Sequence, residues 1–340
     1  MTGPELHGIS ANWVRGFFAM PDATKGNPAD QPAIAALLGY AGQGFGTVLS
    51  LKFPYFNQAI PTPDSPEMAA AQQQLDAVLA AVMNRVDILA IGNEPFIECR
   101  QSDKDSPQLN AFYEAMAQRA IAYRASKFGS ASKTQLYMGA LNHLDLPQWK
   151  TAATDRWMRF VHDTPEIAGT DIHPHLPDPA AGQDYLDYIL PRMRSDQKFL
   201  ATEFSLVLFY KKHLSDRVSA EFAKRYQVKT GTPVWQVIND ALQHPVPQQE
   251  WDDFLAMTPW FANNKSYLTD QVNAFRATGK LAVATYGIGQ DTAMSSQFGP
   301  DSTPWVLNSM YCQHTVQPAA DGLPGQNTVW TNEFRSLQHT

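Results

Sequence analysis

Short apolar runs alternate with helical segments along the whole chain. The runs cover residues 11–18, 47–53, 86–92, 135–141, 170–173, 198–204 and 280–286. Each has the length of a buried strand. Most are apolar on both faces, as parallel strands are when helices cover them. Between the third and fourth runs, Leu109, Phe112, Met116, Ala120 and Tyr123 recur on one helical face. Ser106-Pro107 ahead of them supplies an N-cap and a first-turn proline. Residues 68–82 are rich in Ala and Leu, good helix formers, and 184–193 and 270–278 continue the alternation. Such repetition predicts a parallel sheet, open or closed into a barrel.

A closed barrel of this kind needs about eight strands, and the pattern yields seven. The absent one is the first, because only ten residues precede position 11, too few for a strand and a returning helix. The expected fold class is therefore α/β, a TIM (β/α)8-type barrel with its first strand missing or replaced. An unpaired edge at such a gap would invite a partner, so a homo-oligomer is one option. The connection after 198–204 is far longer than one helix requires. Residues 206–268 within it predict a helical insertion, with helices at 214–226, 233–242 and 248–257. It would overhang the C-terminal face, where barrel active sites sit. Trp235, Trp251 and Trp260 are read first as its core. No linker or repeat interrupts the pattern, so residues 1–340 are taken as one catalytic barrel domain.

Composition narrows the function. The 340 residues are 44% hydrophobic, 17% charged and carry a net charge of −7, with no basic block. An extended phosphate-binding face needs clustered Lys and Arg, so no nucleic-acid partner is expected. No run of about 18 apolar residues occurs, so no membrane partner or span is expected. No leader is visible at the N-terminus. The compartment stays open: secreted or periplasmic if a signal was trimmed, otherwise cytoplasmic. Cys99 and Cys312 are too few for a disulfide framework or a zinc site, and free thiols are expected. Gly-x-Gly-x-x-Gly after a strand and Gly-x-Ser-x-Gly are both absent, which argues against a dinucleotide site and a nucleophile elbow. No cofactor is expected.

Two acids stand out. Ile-Gly-Asn-Glu-Pro ends the third run at Glu94, and Leu-Ala-Thr-Glu-Phe places Glu203 near the end of the sixth. A carboxylate in a buried strand costs several kcal/mol unless paired or hydrogen-bonded. Two at one end of a barrel fit glycosidic hydrolysis. One protonates the leaving oxygen, and the other attacks the anomeric carbon or activates water, according to their separation.

With a first strand counted as missing, these acids fall on barrel strands four and seven. Asn-Glu-Pro on the fourth and Glu on the seventh resemble the clan A glycoside hydrolases, over residues 11 to 290 or so. The resemblance implies retention of anomeric configuration, with Glu94 as acid/base and Glu203 as nucleophile. It implies that Asn93 bonds the sugar 2-hydroxyl and that Arg15 braces the nucleophile. Relatives commonly carry His-x-Tyr on the sixth strand, whereas this chain has His173 and His175. They commonly carry Trp on the eighth, whereas this chain offers Tyr286, or Trp305 from the following loop. Lys52, Tyr55, Asn142 and His143 lie at the same rim as plausible sugar contacts. The substrate would be an oligo- or polysaccharide.

Two other readings compete. One is a catalytically weak carbohydrate-binding barrel, suggested by the missing strand. The other is a metal-dependent barrel enzyme using His173 and His175, with Asp171 or Asp145 as a third ligand. No metal spacing of recognised strength supports it, and no metal is expected.

Overall fold

The computed structural model describes residues 1–338. All seven strands form: β1 (Trp13–Ala19), β2 (Gly46–Lys52), β3 (Ile88–Ile91), β4 (Gln135–Asn142), β5 (Ile167–His173), β6 (Lys198–Ala201) and β7 (Leu281–Ala284). They pair in chain order, and every pairing is parallel. The sheet curls into a TIM-type barrel that stays open between β7 and β1.

The helices start where local chemistry expects them. Ser106 Oγ accepts from Leu109 N at the head of Pro107–Phe128, and Ser65 caps Pro66–Val82 in the same way, each followed by proline. Helices cover one side of the sheet, including Leu49, Leu89 and Met138, and Phe275 of the helix Tyr267–Ala277 packs on Phe199. Val48, Ile88, Ala90, Tyr137, Leu200 and Val283 form a second cluster. They alternate with the helix-facing residues, so they fill the barrel interior. Residues 206–268 hold the helices Val207–Lys211, Ala220–Arg225, Val234–Gln243, Gln248–Ala256 and Pro259–Ala262. Trp251 is fully buried there, and Trp260 stacks on His213.

No strand among the described residues pairs with the outer edge of β1 or β7. Trp13 and Phe17 share Arg15's face of β1, yet are 37% and 52% exposed, because no strand pairs with β1 on that side. The C-terminal helix Thr328–Leu337 is tied across this seam. Arg335 Nε donates to Gly8 O (2.8 Å), Asn12 Nδ2 donates to Gln338 Oε1 (3.1 Å), and Arg276 Nη2 donates to Leu337 O (2.9 Å). A cavity of about 400 Å³ remains along the seam, lined by Trp13, Leu281, Ala284 and Phe334 among others. No helix is long and apolar enough to cross a membrane. Cys99 and Cys312 are free and buried.

Candidate active site

β3 ends at Ile91, and Gly92 then turns the chain with φ +99°, a conformation L side chains rarely adopt. A Cβ there would meet the Tyr113 ring at 2.9 Å. The turn delivers Asn93 and Glu94 to the C-terminal end of the sheet. Asn93 O accepts from Ala140 N (2.8 Å), and Glu94 O accepts from Glu98 N (2.8 Å). That single helical turn brings Glu98 back beneath Asn93.

Across the sheet, register places Asp171 of β5 opposite Leu200 of β6. Asp171 Oδ1 accepts from Thr202 N (3.0 Å), which fixes the strand end that carries Glu203. The two acids therefore share one end of the barrel, and their nearest carboxylate oxygens lie within 4.8 Å of each other.

Their surroundings differ. Arg15 reaches from β1 with all three guanidinium nitrogens engaged. Nη1 donates to Glu203 Oε1 (2.6 Å), Nε to Ser50 Oγ (3.1 Å), and Nη2 to Asn93 Oδ1. His175 Nε2 lies 3.6 Å from the other Glu203 oxygen, and its Nδ1 lies 2.8 Å from Ser205 Oγ. Burial pushes the Glu203 carboxyl up, but the charges of His173 and Arg15 outweigh it and hold the group well below the usual range. Glu94 Oε1 accepts instead from Asn142 Nδ2 (2.8 Å) and sits 3.0 Å from His173 Nδ1. Burial raises this carboxyl too, while the bond from His173 and its charge bring it below the ordinary value.

Around this pair, Asn93 Nδ2 donates to Glu98 Oε1 (2.9 Å), and Lys52 Nζ lies 3.1 Å from the same oxygen. With Oδ1 taken by Arg15, Asn93 keeps one amide hydrogen free for a ligand. His143 meets the Trp149 ring at a tilt, with centroids 4.5 Å apart, and burial holds its imidazole below the ordinary value. Trp305 meets the His175 ring edge-on at 4.9 Å. Tyr286 lies deeper: its hydroxyl is 2.5 Å from Asn308 Oδ1, and its ring packs on Phe204 and Trp330. Tyr55 is also turned inward, against Phe112. A cavity of about 520 Å³ joins Glu94, Glu203, Arg15, Lys52, His175 and Trp305 to the upper part of the seam.

Several contributing residues carried no motif. Glu98 is 2% exposed, and an acid four positions after Glu94 in an apolar stretch was its signal. Ser50, Thr202 and Ser205 are ordinary strand and loop hydroxyls until the register is known.

Glu94, His173, His175 and Glu203 also sit at a spacing a cation could bridge. Their bonding argues otherwise. Both ring nitrogens of His173 are engaged within the protein, and the Arg15 guanidinium already places a positive charge against Glu203. Asp171, expected as a third ligand in the metal reading, is turned to Thr202.

No protein-family model matches the chain, and no curated protein matches it. Solved structures do. Over 98% of its length the chain is similar to a β-glucosidase from Exiguobacterium marinum, with a TM-score of 0.51, 8% identity and 84% of that chain covered. It is also similar over 98% of its length to the GH53 catalytic domain of Ignisphaera aggregans, with a TM-score of 0.45, 12% identity and 87% of that chain covered. The likeness to the β-glucosidase is one of fold, an all-parallel sheet curled as in a TIM-type barrel.

Proposed function

We propose that the protein is a retaining glycoside hydrolase with Glu203 as nucleophile and Glu94 as acid/base. The observation that carries this is the pair of acids at one end of the barrel, with an oxygen of each within 4.8 Å of the other. Measured between carboxyl groups, retaining pairs stand about 5–5.5 Å apart and inverting pairs about 6.5–9.5 Å, and oxygens this near agree with the closer arrangement. The surroundings divide the roles. Glu203, against a guanidinium, stays ionised and can attack. Glu94, bonded to a histidine and an amide, exchanges a proton.

In the first step a Glu203 oxygen bonds the anomeric carbon as the glycosidic bond breaks. Glu94 gives a proton to the departing oxygen. In the second, Glu94 takes a proton from water, the water oxygen bonds the anomeric carbon, and the bond to Glu203 breaks. The free amide hydrogen of Asn93 is placed for the sugar 2-hydroxyl, where a contact strengthens as the transition state forms.

The test is trapping. A panel of activated 2-deoxy-2-fluoro glycosides should add one glycosyl mass to the intact protein, on the peptide containing Glu203. Glu203→Gln should abolish both labelling and turnover while leaving the thermal midpoint near native. A product released with inverted configuration would overturn the retaining mechanism. Labelling on another residue would remove Glu203 from its role.

A further inference from the structure

His173 is fully buried and bonded at both ring nitrogens, and the bonds can be directed. Asp171 Oδ1 accepts from Thr202 N, and its other oxygen accepts from the Thr202 hydroxyl. The Thr202 proton is therefore committed to Asp171. Thr202 Oγ1 can only accept from His173 Nε2, 2.8 Å away, so Nε2 must carry hydrogen. The Nδ1 side then has two arrangements. Either Nδ1–H donates to an ionised Glu94, or a protonated Glu94 donates to a bare Nδ1.

We propose that Glu94 and His173 hold a single proton between them, and that Thr202, clamped by Asp171, keeps it there by forbidding the tautomer in which His173 has lost it. Losing that proton would leave an ionised Glu94 against a bare Nδ1, two acceptors in contact, or, in the other tautomer, Nδ1 still bonded to Glu94 with Nε2 bare. Two acceptors, Nε2 and Thr202 Oγ1, would face each other unless the Thr202 hydroxyl left Asp171. Asp171 would then carry a buried charge with one bond fewer. Thr202 is thus a positioning residue for the acid/base, one position before the nucleophile.

The charges around the ring agree. Glu94 faces it from the turn after β3, Asp171 from its own strand at 3.5 Å, and Glu203 from the end of β6 at 3.9 Å. Arg15 from β1 reaches it through Glu203, and His175 from the end of β5 bonds toward Glu203 while its ring meets that of His173 edge-on at 6.2 Å. His143, beyond β4, acts on Glu94 from further off. Burial pulls the imidazole down, yet the charges of Glu203 and Asp171 and the bond to Glu94 lift it to about 10. The proton rests on Nδ1 in the free protein and moves to Glu94 when a leaving oxygen demands it.

The kinetic consequence rests on the glycosidase reading, but the proton count does not. In protein carrying 15N in its histidine rings, long-range 1H–15N spectra should show His173 protonated at Nε2 from about pH 5 to about pH 9, across the range in which a free imidazole titrates. A His173→Gln sample assigns the signals. Finding Nε2 bare in that range overturns the proposal whether or not any sugar is cleaved. If glycosides are cleaved, Thr202→Val should move the basic limb of the kcat/KM profile to lower pH by about one unit or more. The acid limb should stay, and Thr202→Ser should restore the native profile. A basic limb unmoved in Thr202→Val overturns the clamp. Protonated Nε2 with no turnover on any glycoside would sink the glycosidase reading alone.

Discussion

Arg15 meets Ser50, Glu203 and Asn93 at once, and only a planar fork of donors can do so. Lysine would keep a charge near Glu203 but lose the geometry. Arg15→Lys is therefore expected to lower kcat by roughly 10²-fold, the scale of removing one preorganised donor, with little change in thermal midpoint. Stopped assays on any cleaved glycoside would measure it. Charge itself is tested by Arg15→Met. Glu203 lies well below the ordinary carboxylate value because His173 and Arg15 outweigh its burial. Without Arg15 its value rises, so the acid limb of the pH–rate profile should move to higher pH. Stability follows the same sign. A carboxyl lowered in the folded state contributes stability above its unfolded value, near 4.3, and that contribution is lost as pH falls through the folded value. His173 works at the other end. Raised to about 10, it contributes fully below about 6.5 and loses that contribution as pH climbs through 10. Urea midpoints across pH should therefore fall at both extremes. Arg15→Met should lose part of the difference on the acid side, the part His173 and His175 contribute remaining.

At the scale of elements, much could be read from the chain. The seven strands were visible because strands buried on both faces leave unbroken apolar runs, and Ser106-Pro107 announced its helix by capping chemistry. Glu94 and Glu203 were visible for the opposite reason, as acids at the ends of apolar runs. What stayed hidden depends on neighbours distant in sequence. Asp171 meets Thr202 only through the register of β5 on β6, and no pattern within either strand reports it. Glu98 lay in a segment without periodicity, and the turn that folds it under Asn93 depends on Gly92. Tyr286 stands near a strand end, where a sugar platform is expected; it lines the cavity, while packing against Phe204 and Trp330 draws its ring inward. The turn at Gly92 can be tested directly. Gly92→Ala asks an L residue to hold φ +99° with its Cβ 2.9 Å from Tyr113. It should cost about 1–3 kcal/mol and shift Asn93 and Glu94 together. Both kcat and the denaturation midpoint are then expected to fall. A variant that lost neither would mean the strand end is set by Pro95 and not by the glycine.

The whole molecule turns on the seam. A parallel sheet that curls but does not close leaves two edges and an exposed interior face, and here Glu94 and Glu203 stand at the end of that sheet. Something must hold β1, which carries Arg15, at a fixed distance from β6, which leads to Glu203. The sheet does this the long way round, through four other strands. The short way is the helix Thr328–Leu337. Its Trp330 is fully buried, donates from Nε1 to Leu307 O at 2.7 Å, and touches Phe261 of the inserted helices and Tyr286 after β7. Leu307 belongs to the short helix Trp305–Asn308, whose Trp305 lies against His175. Closure of the seam and placement of the site's aromatic wall thus share one side chain. Trp330→Ala should cost about 3–5 kcal/mol, the range for emptying a large buried ring. Trp330→Phe separates the roles: it keeps most of the packing but leaves the buried Leu307 carbonyl without its donor, at about 1–3 kcal/mol. Because that carbonyl anchors the Trp305 turn, Trp330→Phe should also raise KM more than it lowers kcat. A Trp330→Phe protein with native stability and native KM would mean that the C-terminal helix only rests on the barrel, and that β1 is held by the sheet alone.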